Sequence, residues 1–192
     1  NGYDSDRFEG LLKNKVDAHF VICHLGVLSD NQPVDAFVLG IKDALKKIGD
    51  KRGKIILRLI GKVSEGIINA FSKLQPEVEV EVINYLPHKK ALEQIVNADL
   101  LFNSLADAGE TSNLLISGKL MEYIATGNPV ICLGDENGDA AKILEESGCG
   151  FVYSRTNIQG ISNFLVKVLT NQFEFEKKNI LKYSRRQTTL EL

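Results

Sequence analysis

The chain has no tryptophan, one methionine (Met121), four prolines, three histidines and three cysteines in 192 residues. Cys23, Cys132 and Cys149 form no C-x-x-C pair and no zinc-ligand spacing, so neither a disulfide framework nor a zinc ribbon is indicated. Cys23 and Cys132 lie in apolar runs, where cysteine acts as a small hydrophobe, and an odd count fits a reducing compartment. A cytoplasmic location is expected on that ground. Three histidines without paired spacing imply no metal site, and no cofactor is expected. No run of about 18 apolar residues exists, which excludes a bilayer-spanning helix of that kind. An excess of one charge is missing too: 23 basic residues face 25 acidic ones, for a net charge of -2 and a pI near 6.0. Nucleic acid is therefore not an expected partner. No G-x-G-x-x-G follows the first apolar run, against a simple dinucleotide-binding oxidoreductase. No internal repeat or low-complexity segment is present.

The hydrophobic content is 44%, enough for one domain with a substantial core. The chain starts at Asn1 and its only methionine is internal, so it is expected to be a fragment of a longer polypeptide. The one basic cluster, Lys177, Lys178, Lys182, Arg185 and Arg186, reads as a solvated helix face. Peripheral contact of the full-length protein with an anionic membrane is the alternative.

Hydrophobic periodicity lays out an alternating series. Residues 1–16 read as a polar linker. Ala18 to His24 is an apolar strand ending at Gly26. Ala36, Phe37, Leu39, Gly40, Ala44, Leu45 and Ile48 recur at helical spacing up to Gly49. Lys54 to Ile60 is a second strand, followed by Gly61 and a helix from Ser64 to Leu74. Val78 to Ile83 alternates as an edge strand does. Pro87 opens a helix, and Asp99 to Phe102 is a fourth strand. A polar loop, Ser104 to Asn113, precedes a helix from Ser117. Val130 to Leu133, a helix over Gly138 to Ser147 and the strand Gly150 to Tyr153 follow. The segment from Ile158 reads as two helices broken near Asn171. This order predicts an α/β fold: a Rossmann-like open parallel sheet of about six strands with helices on both faces. The main domain is expected over 17–170, with a C-terminal helix over 171–192. Ligands of such sheets sit beyond the carboxyl strand ends, where the strand order switches.

The stretch Ser117-Gly118-Lys119-Leu120-Met121-Glu122, closed by Gly127-Asn128-Pro129 and a buried strand, carries the chemistry. A helix N-terminus after a parallel strand seats phosphate, because unpaired N–H groups and the dipole point there. A glutamate one turn in can accept hydrogen bonds from sugar hydroxyls. The plain alternative is a surface ion pair between Lys119 and Glu122 at i,i+3. His24, at a strand end, is either a core residue or a ligand contact. His19 and His88 read as surface or capping residues, and Arg58, mid-strand, as structural.

Several separated pieces resemble, in order, the C-terminal half of a GT-B glycosyltransferase of the retaining group-1 type. Asn1-Gly2-Tyr3-Asp4 with Phe8 resembles the interdomain hinge. His24-Leu25-Gly26 resembles the first strand and glycine loop. Asn84-Tyr85-Leu86-Pro87-His88 resembles the Gly-Tyr-Val-Pro-His turn beside the nucleotide base, and Asn97 to Ser104 the "ADLLLLPS" strand. Lys119 to Val130 resembles the donor site, and the helix expected over 171–192 resembles the C-terminal crossover helix that returns to the N-terminal domain. The resemblance implies a chain that binds a nucleotide diphosphate sugar. Glu122 would accept the ribose hydroxyls, the backbone around Ser117, Gly118 and Lys119 would hold the pyrophosphate, and Leu86 and its neighbours would contact the base. Gly26 would let the backbone approach the phosphates. The acceptor, a glycan or lipid-linked sugar, would be held mainly by an N-terminal domain absent from this chain. Polysaccharide or cell-envelope assembly is the implied setting.

Two departures from the family pattern are visible. Eight residues before the ribose glutamate the family carries a carboxylate, where this chain has Leu114; Asp107 or Glu110 is the candidate acid near the sugar. The loop Val27 to Pro33 lacks the family's arginine and lysine, and Lys62 or Lys119 is the candidate replacement for that charge. These departures keep two alternatives open: a binding or interaction module of the same fold without the chemistry, and a sugar-nucleotide 2-epimerase of the same architecture.

Overall fold

The computed structural model describes residues 2–11, 13–14, 19–49, 53–106, 114, 116–173 and 180–190. Six strands form one parallel sheet: β1 (Phe20–Leu25), β2 (Ile55–Ile60), β3 (Val78–Ile83), β4 (Leu100–Ser104), β5 (Val130–Leu133) and β6 (Gly150–Tyr153). Seven α-helices occur among the described residues. They are α1 (Asp35–Ile48), α2 (Glu65–Ser72), α3 (His88–Asn97), α4 (Gly118–Thr126), α5 (Asp139–Ser147), α6 (Ile158–Leu169) and α7 (Arg185–Leu190). The expected order of strands and helices is present from β1 to α6. α2 stops at Ser72, short of Leu74, because Pro76 disfavours helical geometry in the residue before it.

The strand order is β3-β2-β1-β4-β5-β6. The chain winds outward from β1 to β3, then α3 carries it back past β1 to begin β4. That reversal opens a crevice above the carboxyl ends of β1 and β4. β3, with alternating exposure, is an edge strand as its sequence predicts. Arg58 on β2 spends its charge on the neighbouring edge, donating to Glu81 at 2.6 Å and to Gln94 on α3 at 2.7 Å.

The period of two along each strand divides the core into two layers. Ile22, Leu57, Phe102, Ile131 and Leu133 face α1, α2 and α6. Val21, Cys23, Leu101, Val130 and Cys132 face α3, α4 and α5. In the first layer Phe37 stacks on Phe102 with ring centroids 4.0 Å apart, and Phe71 meets both edge-on. α1 packs tightly on α6 because Gly40 has no side chain there; a Cβ would lie 2.3 Å from Ile161 Cγ2.

The α4–β5 connection is tied to α3. Asn128 is buried and donates through Nδ2 to the Ile95 and Val96 carbonyls at 2.8 and 2.9 Å, while its Oδ1 accepts from Lys13 at 3.0 Å. These bonds satisfy carbonyls at the end of α3 that have no intrahelical partner. Asn128→Ala strands them, at a cost of about 2 kcal/mol. The melting point is expected to fall by roughly 4–8 °C, measured by calorimetry. An unchanged melting point would mean that these bonds contribute nothing.

The two ends of the described chain meet. The Tyr3 amide donates to the Tyr183 carbonyl at 3.0 Å, and the Arg185 amide to the Tyr3 carbonyl at 2.8 Å. Tyr3 is buried against Phe8 and the α4 face.

Candidate functional site

Three glycine- or serine-led turns converge on the crevice. β1 ends at Leu25 and turns through Gly26, with φ 111°; β2 ends at Ile60 and turns through Gly61, with φ 116°. These are left-handed conformations that side chains avoid. The two turns touch: a Cβ on Gly61 would lie 2.5 Å from the Gly26 carbonyl oxygen. The Gly26 amide donates to Ile60 at 2.7 Å, and Leu28 to the Lys62 carbonyl at 2.9 Å, so the floor is pinned by main chain. The third turn is the start of α4. Ser117 occupies the cap position, yet its side chain makes no capping bond, which leaves the first-turn amides free of a side-chain partner. Gly118 is exposed, and a Cβ there would meet nothing within 4 Å.

Lys119 reaches from α4 across the crevice and donates to the Val27 carbonyl. Its methylenes lie over Gly26, where a Cβ would come within 2.7 Å of Lys119 Cε. Burial lowers its ammonium to a pKa of about 8, against a small opposing effect of Cys132. Glu122, one turn on and half-buried, turns the other way, with Oε1 3.8 Å from His88 Nε2. Lys119 and Glu122 therefore do not form the surface ion pair that their spacing allows. Arg7 Nη1 lies 2.8 Å from the same His88 nitrogen. A guanidinium can only donate, so Nε2 accepts, and the contact with Glu122 is not an ion pair. A small cavity of about 120 Å³ separates Gly118, Met121 and Glu122 from Asp4, Arg7 and Arg185.

The donor-binding residues expected from sequence separate into groups. Gly26, Ser117, Gly118 and Lys119 come together at the switch in strand order. Glu122 lies beside the Leu86-Pro87-His88 turn, where Leu86 is half-buried against the α3–α4 side of the core. Lys62 is exposed on the turn after β2. Leu114 is 64% exposed. Asp107 and Glu110 lie outside the described residues.

Two residues below the crevice hold it in shape. Tyr123 is fully buried; its hydroxyl accepts from the Leu25 amide at 2.8 Å and lies 3.4 Å from the Phe102 carbonyl. That bond fixes the end of β1 to α4. His24 is fully buried, with Nδ1 3.0 Å from the same Phe102 carbonyl, so Nδ1 carries the proton. Its Nε2 makes no hydrogen bond of normal geometry. His24 is thus a core residue rather than a ligand contact. Burial, then repulsion by Lys119, pushes its pKa down to about 3, against the opposing backbones of Phe102 and Val27. The unfolded chain takes up this proton near pH 6.5 and the folded chain only near 3, so stability falls as pH drops through that window. The expected slope is about 1.4 kcal/mol per pH unit below about 6.5. Urea unfolding between pH 7.5 and 4.5 measures it, and a flat profile would contradict the burial of His24.

The roles of Tyr123 and of the Arg7–His88 contact are not legible in the sequence. The first has only its place beside Glu122 as a signal, and the second joins residues 81 positions apart. A cavity of about 540 Å³ lies away from the crevice, between the ends of α1 and α2. Among the described residues, no group of three or more His, Cys, Asp or Glu side chains is placed to hold a metal ion, and no helix is long and apolar enough to cross a membrane.

No protein-family model and no curated protein sequence matches the chain. Solved structures do. The chain is similar to WaaG, a glycosyltransferase involved in lipopolysaccharide biosynthesis, at 19% identity and TM-score 0.57, over 86% of this chain and 41% of that one. It is similar to the C-terminal domain of the group-1 family glycosyl transferase LpcC from Francisella tularensis, at 16% identity and TM-score 0.62, over 89% of each chain. It is similar to an E. coli trehalose-6-phosphate structure bound with UDP-2-fluoro glucose, at 14% identity and TM-score 0.59, over 97% of this chain and 45% of that one. The chain spans less than half the length of the first and third of these proteins. The fold is that of the C-terminal domain of GT-B group-1 glycosyltransferases.

Proposed function

We propose that the chain is the donor-binding half of a glycosyltransferase, taking a nucleotide diphosphate sugar at the crevice above β1 and β4. The observation that carries this reading is the uncapped N-terminus of α4 facing the Gly26 turn, with Glu122 one turn further along. A helix start without a side-chain cap, together with the helix dipole, favours a diphosphate there, and two adjoining glycine turns let backbone approach it. Glu122 then accepts from vicinal ribose hydroxyls, and the Leu86-Pro87-His88 turn adjoins the base. The neighbour bound to UDP-2-fluoro glucose supports the same ligand class. The acceptor is held mainly by an N-terminal domain outside this chain, and sugar transfer requires both halves closed around the donor. Asp107 or Glu110 supplies the acid near the sugar, and no metal or other cofactor takes part. The cytoplasm, on the inner side of a membrane where the acceptor is assembled, is the proposed setting.

A second reading, a nucleotide-binding module without transfer chemistry, is favoured by the exposed Leu114 where the family has a carboxylate. Thermal-shift titration with UDP, GDP and ADP tests the shared binding claim, since ligand binding raises the melting point by mass action. A rise with one of the three supports it; no rise with any at millimolar concentration contradicts it. Transfer by the chain joined to its N-terminal domain then separates the two readings.

A further inference from the structure

We infer that the Lys119 ammonium, which donates to the Val27 carbonyl, is the cation that pairs with the donor's diphosphate. The inference rests on the donor-site reading and assigns a role that the backbone amides of α4 do not fill. The turn after β1, Val27 to Pro33, contains no basic residue. Lys119 enters the same space from the opposite wall. Its partner there is a neutral carbonyl, and among the described residues no carboxylate pairs with it. A half-buried ammonium without a counter-charge is an incomplete arrangement, because burial penalises the charge and no charge among the described residues offsets it. A diphosphate seated against the α4 amides supplies the missing charge within reach of the side chain.

The position of the methylenes adds a second element. They cover Gly26, the residue whose lack of a side chain lets backbone come close to phosphate. Rotation of Lys119 from Val27 toward the diphosphate uncovers Gly26 and delivers the cation in one motion. Lys62, exposed on the next turn, lacks both features.

Protonation supplies an independent readout. Among the described residues, the ionisable groups facing Lys119 are His24 from β1 and Cys132 from β5. His24 titrates near 3 and Cys132 is pushed up to about 12 by burial, so neither changes between pH 7.5 and 9.5. Lys119 does change in that range. An anion bound beside it raises its affinity for protons, so diphosphate binding above pH 8 takes up protons from buffer.

The experiment is calorimetric titration of the 192-residue chain with UDP, GDP and ADP and with the corresponding nucleosides. It compares wild type with Lys119→Met, which keeps the methylenes, and with Lys119→Gln. Wild type is expected to bind its diphosphate more tightly than the nucleoside. Both variants are expected to lose roughly 10- to 100-fold in diphosphate affinity, with nucleoside affinity and melting point unchanged. At pH 9 the wild-type heat is expected to depend on the buffer's ionisation enthalpy, and the Lys119→Met heat is not. Diphosphate affinity within threefold of wild type in both variants overturns the inference and leaves the donor-site reading standing. Equal loss for nucleoside and diphosphate overturns it as well, since the side chain is then only structural. Absence of diphosphate binding by wild type overturns both.

Discussion

Glu122→Ala is expected to lower the affinity for the nucleoside diphosphate by about 100-fold while leaving the melting point of the free chain unchanged. Glu122 is half-buried on the first turns of α4, and its Oε1 lies 3.8 Å from His88 Nε2, longer than a hydrogen bond. Folding therefore depends little on the carboxylate. In the proposed donor complex the bound state depends on it strongly, because a carboxylate accepting from two adjacent hydroxyls would make two charge-assisted bonds. Their joint loss is worth about 3 kcal/mol, roughly two orders of magnitude in dissociation constant. Glu122→Gln, which keeps the shape and loses the charge, is expected to fall between. Calorimetric titration measures both variants. An affinity for Glu122→Ala within threefold of wild type would remove the ribose contact from the account.

Gly61→Ala is expected to be the most damaging single-methyl change at the crevice, and to act on fold and site together. The residue sits at φ 116°, a conformation strained for any residue with a Cβ. The added carbon would also lie 2.5 Å from the Gly26 carbonyl oxygen and 3.0 Å from Gly26 Cα. Those neighbours are backbone, so no side-chain rotation relieves the overlap. Conformational strain and overpacking together cost about 4 kcal/mol. For a chain of this size that corresponds to a fall in melting point of roughly 8–16 °C. Relief by moving the Gly26 turn away from β2 would break the 2.7 Å bond to Ile60 and widen the crevice floor. Diphosphate affinity is then expected to fall in whatever fraction remains folded. A melting point within about 2 °C of wild type would show that the two turns are not in contact.

Most of the architecture is legible in the sequence because it rests on local patterns. The apolar runs before Gly26 and Gly61, the alternation of Val78 to Ile83 and the helical spacing after Ser117 and Gly138 are each written within a dozen residues. An alternating β-α order with short connections leaves few topologies, so the sheet of six parallel strands follows. The site is only partly legible. The places of Gly26 after a strand and of Ser117 and Gly118 at a helix start are legible from local pattern, and the family resemblance adds Glu122 as a candidate. What Lys119 touches is not legible. An i,i+3 partner was available in Glu122, yet the side chain turns to Val27, which is 92 residues away. Burial decides it: the crevice draws the methylenes over Gly26, and Glu122 points to the turn at His88. Arg7 escapes a linear reading for the same reason. It lies in a polar stretch that reads as linker, and only folding of residues 2–11 against α4 brings it to His88.

The central claim, a diphosphate seat between the Gly26 turn and the N-terminus of α4, is tested most directly by amide chemical shifts of the isotope-labelled chain during titration with UDP, GDP and ADP. One of the three is expected to shift the amides of Gly26, Gly61, Gly118, Lys119 and Glu122 first and furthest, with those of Gly49 and Gln75, away from the crevice, unmoved. Shifts concentrated at Gly49 and Gln75, or no saturable shift at Gly26 and Gly118 with any of the three, would contradict it.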